Sequence, residues 1–426
     1  MTALDREPGM AAQTRDQLKL AVLGGSSIAS PEIVQALRRR GDRPPVEIVL
    51  IGRSAGKLER VTSVCNRLAA GSSPPIEISA TTDLESGLEG ASYVLNQVRV
   101  GGYQARAYDE SFPQVFGIPG EETFGPGGMN NALRTIPVTL EHCQVIERVA
   151  PDALLINLTN PSSYIQYAIA RYTKVNVVGV CDSPVGLSRA IAGALGVPPQ
   201  ELWIGYIGMH HFGWVTEVRW KGQDAMPQIL ERLSAYPGLP VDDDFVRAIG
   251  AIPTSYFKYL YHPDRMLENQ RGQASRAEQL LAMEAEILSG YENPDSESAL
   301  SGLDRRGAHW YEDIVLPVLL AHAGDERSVF ILNVSNGTTV PWMPPDAILE
   351  LPVVVARHGF LPLEPPHAPP DVQATLRLNA AFEMLWVEAV VEHSYEKALR
   401  AMMLNHLVRN LDQARDILNE IWPGVK

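Results

Sequence analysis

The chain predicts an α/β fold: an N-terminal Rossmann-like, doubly wound parallel sheet followed by a C-terminal, helix-rich α+β half. Three observations predict it. Short, almost wholly apolar runs recur at LKLAVL (18–23), VEIVLIG (46–52), IEISAT (76–81), SYVLNQV (92–98), ALLINLT (153–159) and VNVVGVC (175–181). Helical patterns near 55–70, 132–149, 161–172 and 186–195 lie between them. The first run ends in a Gly-Gly turn that feeds a helix. Strands alternating with helices imply right-handed βαβ units, and strands without polar alternation are those covered by helices on both faces.

Residues 1–17 are polar and aperiodic and read as a flexible tail. LKLAVL closes at Gly24-Gly25, and the helix that follows runs to Arg40, with Ser30 as N-cap and Pro31 at its first position. Residues 18–200 thus read as a first unit, expected to be a dinucleotide-binding domain. Beyond it the rhythm changes. WVTEVRW (214–220) alternates as an antiparallel strand does, and helical patterns cover 275–289, 309–323 and the tail from Asp371 to Trp422. Pro-rich stretches at 341–352 and 361–370 punctuate them. Residues 201–426 read as a second unit carrying substrate, metal and oligomerisation surfaces.

Composition narrows the function class. The 426 residues carry 36 Lys and Arg against 50 Asp and Glu, a net charge of −14. There is no basic stripe, so neither nucleic acid nor an anionic membrane is an expected partner. Three cysteines, Cys65, Cys143 and Cys181, fit a reducing compartment rather than a disulfide framework. No run is long and apolar enough for a membrane span, and the N-terminus lacks the apolar stretch of a secretory signal. A cytoplasmic globular protein is expected.

Five local features carry possible chemistry. Gly24, Gly25, Ser26 and Ser27 precede a helix N-terminus, where backbone donors and partial positive charge suit a pyrophosphate. The spacing is not a full G-x-G-x-x-G, and it serves an ordinary tight turn equally well. The second strand ends in Gly52-Arg53 where an acidic ribose ligand is usual. Arg53 suits a 2′-phosphate, so NADP competes with NAD, unless Arg53 is a solvated loop charge. Cys181 follows a buried strand at the carboxyl end of the sheet, a soft metal ligand or an inert buried thiol. Asp182 beside it is either a helix-capping residue or an acid–base group. In YIGMHHFGW (206–214), His211 suits a divalent metal together with Cys181, and His210 reads as a hydrogen-bonded core histidine. Finally, GAIPTSYFKYLYH (250–262) is rich in tyrosine, and Arg276 opens a helix after it; an aromatic core stripe and a solvated arginine explain these equally.

Taken together and in order, LKLAVLGGSS, VRVGGYQARAYDE (98–110), GEETFGPGGMNNALRTIPV (120–138), LTNPSSYI (158–165), VVGVCDSP, GMHHFGW, AIPTSYFKYLY with SRAEQ, and NVSNGTTVPWMPPDAILELP (333–352) resemble glycoside hydrolase family 4. Its glycosidases require a nicotinamide cofactor and a divalent metal, and stand apart from two-carboxylate glycosidases. The resemblance implies that Cys181 and His211 hold the metal, usually Mn²⁺, that Tyr256 removes the proton from sugar C2, and that Asp182 is the general acid. It implies a 6-phosphate contact for Arg276, with Arg99 and Arg106 as further candidates, and sugar-hydroxyl contact for Asn160. The implied reaction is transient oxidation at C3, deprotonation at C2, elimination of the C1 leaving group, addition of water and return of the hydride. A homodimer or homotetramer is implied too, and the C-terminal apolar stripe (Leu378, Phe382, Leu385, Trp386, Val390, Val391) suits core packing or a subunit interface.

Besides lacking the acidic ribose ligand, the chain departs from the family pattern at three places. Glu121 stands where the family often has glutamine, His210 where it has asparagine, and Gln166-Tyr167-Ala168 follows the NP motif in place of T-E-A. Glu121 disfavours an anionic ligand nearby. Arg276 makes a 6-phospho-glucoside the expected substrate all the same, and Glu121 keeps unphosphorylated galactosides or glucuronides as the alternative. A plain NAD(P)-dependent dehydrogenase of a sugar or hydroxy acid, and a non-catalytic ligand-binding protein, are the remaining readings, since fold does not fix function.

Overall fold

The computed structural model describes residues 17–233, 239, 241–294, 307 and 309–423, so the stretch read as a flexible tail lies outside the described residues except for Gln17. Six parallel strands are β1 (Leu18–Leu23), β2 (Val46–Ile51), β3 (Ile76–Thr81), β4 (Tyr93–Asn96), β5 (Leu154–Asn157) and β6 (Asn176–Gly179). They lie in the order β3-β2-β1-β4-β5-β6. This is the doubly wound order, and it reverses between β1 and β4, the place outside the carboxyl ends where such sheets take their ligands. The central strands β4 and β5 are buried at every residue. The edge strand β3 buries only Ile76, which explains why its sequence alternates.

The helix after β1 spans Ser30–Arg38, and its N-cap is Ala29 rather than Ser30. The turn before it is already helical, with Ser30 N–H bonded to Ser27 O at 3.0 Å, so the helix starts a residue earlier than Pro31 suggests.

The second half extends the same sheet with antiparallel strands. They are β7 (Leu202–Met209), β8 (Phe212–Trp220), β9 (Gln223–Asp224), β10 (Ile252–Pro253), β11 (Ser328–Ser335), β12 (Ile348–Ala356) and β13 (Gly359–Pro362). From β6 the order continues β11-β12-β7-β8-β10, with β9 on β8 and β13 on β12. The Pro-rich stretch read as punctuation at 341–352 thus contains the start of β12. Its early prolines precede the strand, and Pro352 sits within it opposite Ile331. The helical tail divides into Pro370–Glu392, Tyr395–Leu404 and Leu411–Ile421. Its apolar stripe goes mainly to the core: Phe382, Trp386 and Val390 are buried, and the Trp386 indole donates to Met129 O at 2.9 Å in the helix Gly125–Val149. Leu378 stays exposed. Among the described residues, no helix is long and apolar enough to cross a membrane.

Candidate functional site

The site has three parts. The first is the β1 turn. Gly24 adopts φ +80°, and a Cβ there would lie 2.9 Å from Gln97 O. A Cβ on Gly25 would lie 2.7 Å from Ile51 N, so this turn packs backbone on backbone. Ser26 and Ser27 are half-buried at its tip, and Ser27 Oγ accepts from Ala29 N–H at 3.2 Å. Arg53 is exposed past the end of β2. Gln97 ties the turn to the helix start, donating to Gly24 O (3.3 Å) and Ser30 Oγ (3.1 Å).

The second part is a cluster of potential metal ligands. One donor atom each from Cys181, His210 and His211 lie within 4.8 Å of one another. The three residues are 3%, 7% and 5% exposed. His210 and His211 form the two-residue loop between β7 and β8, with Met209 opposite Phe212. His211 takes φ +63°, a left-handed conformation that costs a non-glycine residue about 1–2 kcal/mol. Thr254 Oγ1 donates to His211 O at 3.1 Å and helps hold that backbone.

A single row of cross-strand partners brings these ligands together. Gly179 of β6 faces Asn333 of β11, Asn333 faces Glu350 of β12, and Glu350 faces Gly208 of β7. Cys181 lies two residues beyond one end of the row and His210 two residues beyond the other. Asn333 Nδ2 donates to Glu350 Oε1 at 3.0 Å, and the Tyr206 hydroxyl donates to Oε2 at 2.6 Å. Glycine is required at Gly179, because a Cβ there would meet Gln166 Oε1 at 2.2 Å and Asn333 Cβ at 2.8 Å. Glu350 is fully buried, and that desolvation lifts its carboxyl to about 7 against the two bonds that favour its charge.

The donor chemistry fits a divalent cation. Burial, then the nearby Glu350 and Asp182 carboxylates, push the Cys181 thiol well above its ordinary range. A cation would displace that proton and give a thiolate ligand. Burial, with help from His210 and Arg106, keeps His211 neutral, the form that ligates. The Thr123 hydroxyl lies 2.8 Å from His211 Nδ1 and donates in turn to the Glu121 carboxylate. Thr123 therefore accepts from Nδ1–H, which leaves Nε2 with the ligating lone pair.

Tyr256 is half-buried, its ring stacked on His211 with centroids 3.7 Å apart and planes 9° apart. Burial raises its phenol well above its usual range, and the charges of Glu121, Cys181, Glu122 and Asp182 add to this. Asp182 occupies the N-cap position of the helix Ser183–Leu195 but makes no capping bond with its side chain. The residue is exposed, yet desolvation of its carboxyl still raises its pKa.

The third part is a charged line. Arg99 and Arg106 both pair with the buried Glu122 carboxylate, Arg106 at 2.8 Å. Burial alone would raise Glu122, but the two guanidiniums outweigh it and hold the group below its ordinary value. Arg106 also pairs with Glu110 at 2.7 Å, and Glu110 accepts from Ala277 N–H at 2.8 Å. That bond fixes the start of the helix Arg276–Gly290, where Arg276 is exposed. Asn160 joins this line to the metal cluster: its Nδ2 donates to Glu122 Oε1 at 3.4 Å, and its Oδ1 lies 2.9 Å from His210 Nε2. Glu121, buried in the same place, is lifted to about 7 by desolvation and by Glu122.

Sequence reasoning missed Glu122, Thr123, Asn333 and Glu350 as members of the site. Glu350 left a signal, a lone acid inside the apolar run AILELPVVVA. Such a residue needs partners once buried. Glu122 and Thr123 left none beyond their place in the GEETFGPGG stretch.

Comparison with known proteins identifies the family of the chain. Residues 19–197 match the model of the family 4 glycosyl hydrolases, and residues 206–408 match that of the family 4 glycosyl hydrolase C-terminal domain. A probable 6-phospho-beta-glucosidase of Bacillus subtilis (strain 168) is 31% identical over 426 residues, covering 96% of each chain. A 6-phospho-alpha-glucosidase from gut microorganisms, solved with NAD and Mn²⁺, superposes with a TM-score of 0.86 at 25% identity, over 96% of this chain and 100% of that one. The 6-phospho-beta glucosidase of Thermotoga maritima, solved with NAD and glucose-6-phosphate, gives a TM-score of 0.86 at 26% identity, over 95% of this chain and 97% of that one. The chain belongs to the family 4 glycosyl hydrolases.

Proposed function

We propose that the protein hydrolyses 6-phospho-glucosides with a nicotinamide cofactor and a divalent cation, Mn²⁺ being the ion present in a solved relative. The observation that carries this reading is Tyr256 stacked over His211 beside Cys181 and His210, at the carboxyl end of the doubly wound sheet. When bound, the two cofactors would supply hydride exchange at sugar C3 and polarisation of the oxygen there. Gly24, Gly25, Ser26 and Ser27 would receive the dinucleotide, and Cys181 and His211 would hold the cation. Tyr256 would take the proton from C2; its high phenol pKa here reflects burial among carboxylates, and a nearby cation opposes that shift. Asp182, its pKa raised, would deliver a proton to the departing C1 oxygen. Asn160 would orient the sugar from its place between Glu122 and His210. Arg276, exposed at a helix start, would take the 6-phosphate.

One observation favours a second reading. Arg99 and Arg106 are already committed to Glu122, so the charge available to a phosphate is less than the sequence suggests. An unphosphorylated glycoside would need no displacement of these pairs. Hydrolysis of a panel of p-nitrophenyl glycosides, with and without 6-phosphate, decides between the two readings when run with NAD or NADP plus Mn²⁺. Turnover of phosphorylated members only, lost on Arg276→Ala, supports the first. Turnover of unphosphorylated members only supports the second, and turnover indifferent to nucleotide overturns both. Stoichiometric accumulation of reduced cofactor would instead mark a dehydrogenase. We further infer a cytoplasmic setting, consistent with three unpaired buried cysteines, and a homodimer or homotetramer, which light scattering tests against the 46.7 kDa chain mass.

A further inference from the structure

His210 is the least expected member of the cluster, and three independent features of its surroundings bear on its role. Its side chain is more than nine-tenths buried, yet Nδ1 has no hydrogen-bond partner among the described residues. A buried ring nitrogen left so costs about 1–3 kcal/mol unless something binds it. Its other nitrogen is anchored: Nε2 lies 2.9 Å from Asn160 Oδ1. The Asn160 amide is oriented independently, because its Nδ2 faces the Glu122 carboxylate, which can only accept. Asn160 Oδ1 is therefore an acceptor, His210 Nε2 carries the proton, and the lone pair sits on Nδ1. Lastly, a donor atom of His210 falls within the same 4.8 Å group as Cys181 and His211; the two imidazoles stack with centroids 3.8 Å and planes 25° apart, so one ring must turn for both in-plane lone pairs to meet one ion.

We propose that His210 is a third protein ligand of the cation, through Nδ1, with Asn160 as the outer partner that fixes its tautomer. This rests on the metal-dependent reading of the site and deepens it. His211 is arranged in the complementary way, its Nδ1–H held by Thr123 and its Nε2 open. Each imidazole thus offers one lone pair and spends its N–H on an outer partner, the arrangement that metal-binding histidines adopt. Three protein ligands leave a coordination position for substrate oxygen, as in catalytic rather than structural sites.

The third ligand has a consequence for ion choice. One thiolate with two imidazoles is a softer, more nitrogen-rich set than a thiolate with one imidazole, and later first-row ions gain more from it than Mn²⁺ does. Removing His210 should weaken Co²⁺ binding beyond the roughly 10–100-fold typical of losing an outer partner. It should also narrow the Co²⁺ to Mn²⁺ affinity ratio by roughly tenfold or more.

The test uses the full chain loaded with Co²⁺ and read by proton NMR and absorption. Each coordinated histidine contributes one strongly shifted, exchangeable N–H signal, and a coordinated cysteine contributes a thiolate-to-cobalt band. The proposal predicts two such signals in the wild-type protein and one in His210→Asn, with the thiolate band present in both. A single signal in the wild-type protein, with the thiolate band present, overturns the role of His210 and leaves the metal site itself standing. Absence of any Co²⁺ binding overturns the metal-dependent reading and this proposal with it. The wild-type count needs no variant, so misfolding of His210→Asn cannot mask the outcome.

Discussion

The nucleotide turn and the metal cluster sit at the same end of one sheet but are built by different means. The turn is backbone against backbone: Gly24 and Gly25 have no space for a Cβ, and the strand leading into them is apolar but for Lys19. The cluster is side chains on a strained two-residue hairpin, held by a polar row through Asn333 and Glu350. The first tolerates change in chemistry but not in size. The second tolerates neither, because both histidines lean on outer partners, His211 on the buried Thr123 and His210 on the half-buried Asn160. Such partners position a site without touching its reactants.

The sharpest way to break the comparison is at the metal cluster. Cys181→Ser should remove most cation binding, with a loss in affinity beyond the roughly 10–100-fold of an outer partner, while the folded protein persists. Calorimetric titration with Mn²⁺ checks this, and unchanged affinity would place the ion elsewhere. Thr123→Val should cost about 10–100-fold, since it frees His211 Nδ1 and the Glu121 carboxylate. At the turn the effect should fall on folding instead. Gly25→Ala should destabilise by about 1–3 kcal/mol in urea unfolding, because the new methyl meets the β2 backbone.

A subtler effect concerns the row itself. The folded-state pKa of Glu350, about 7, lies above its unfolded value, so the native protein binds the extra proton between about 4.5 and 7. Stability contributed by the protonated form is therefore present below about pH 4.5 and lost as pH rises towards 7, by about 1–3 kcal/mol. Glu121 and Glu383, also lifted to about 7, act in the same direction. Glu350→Gln should flatten part of that decline in Tm measured against pH, and an unchanged slope would show that Glu350 is ionised throughout. The smallest expected effect is at Arg53. Replacement by Ala should leave NAD affinity within about twofold and weaken NADP by about 1 kcal/mol, the size of a surface charge contact.

The same division explains what was legible in the sequence. The parallel half could be read because each strand is an apolar run closed by a turn; LKLAVL-Gly-Gly places β1 and its glycines without any tertiary knowledge. Cys181 and His211 could be nominated from position and residue type. The row could not. Asn333 and Glu350 come from strands that begin far along the chain, and β12 starts among prolines that read as punctuation. Arg99 and Arg106 read as open cations because their common partner, Glu122, lies in another segment. His210 read as a core histidine, and it is indeed hydrogen-bonded to Asn160, but only the fold shows that its second nitrogen has no partner among the described residues.

The central claim is that Tyr256 removes a proton from sugar C2 at this cluster. Hydrolysis of a p-nitrophenyl 6-phospho-glucoside in D₂O, with nicotinamide cofactor and Mn²⁺, tests it most directly. Deuterium is expected at C2 of the released sugar, dependent on both cofactors and lost with turnover in Tyr256→Phe. Hydrolysis that leaves C2 fully protiated would contradict it.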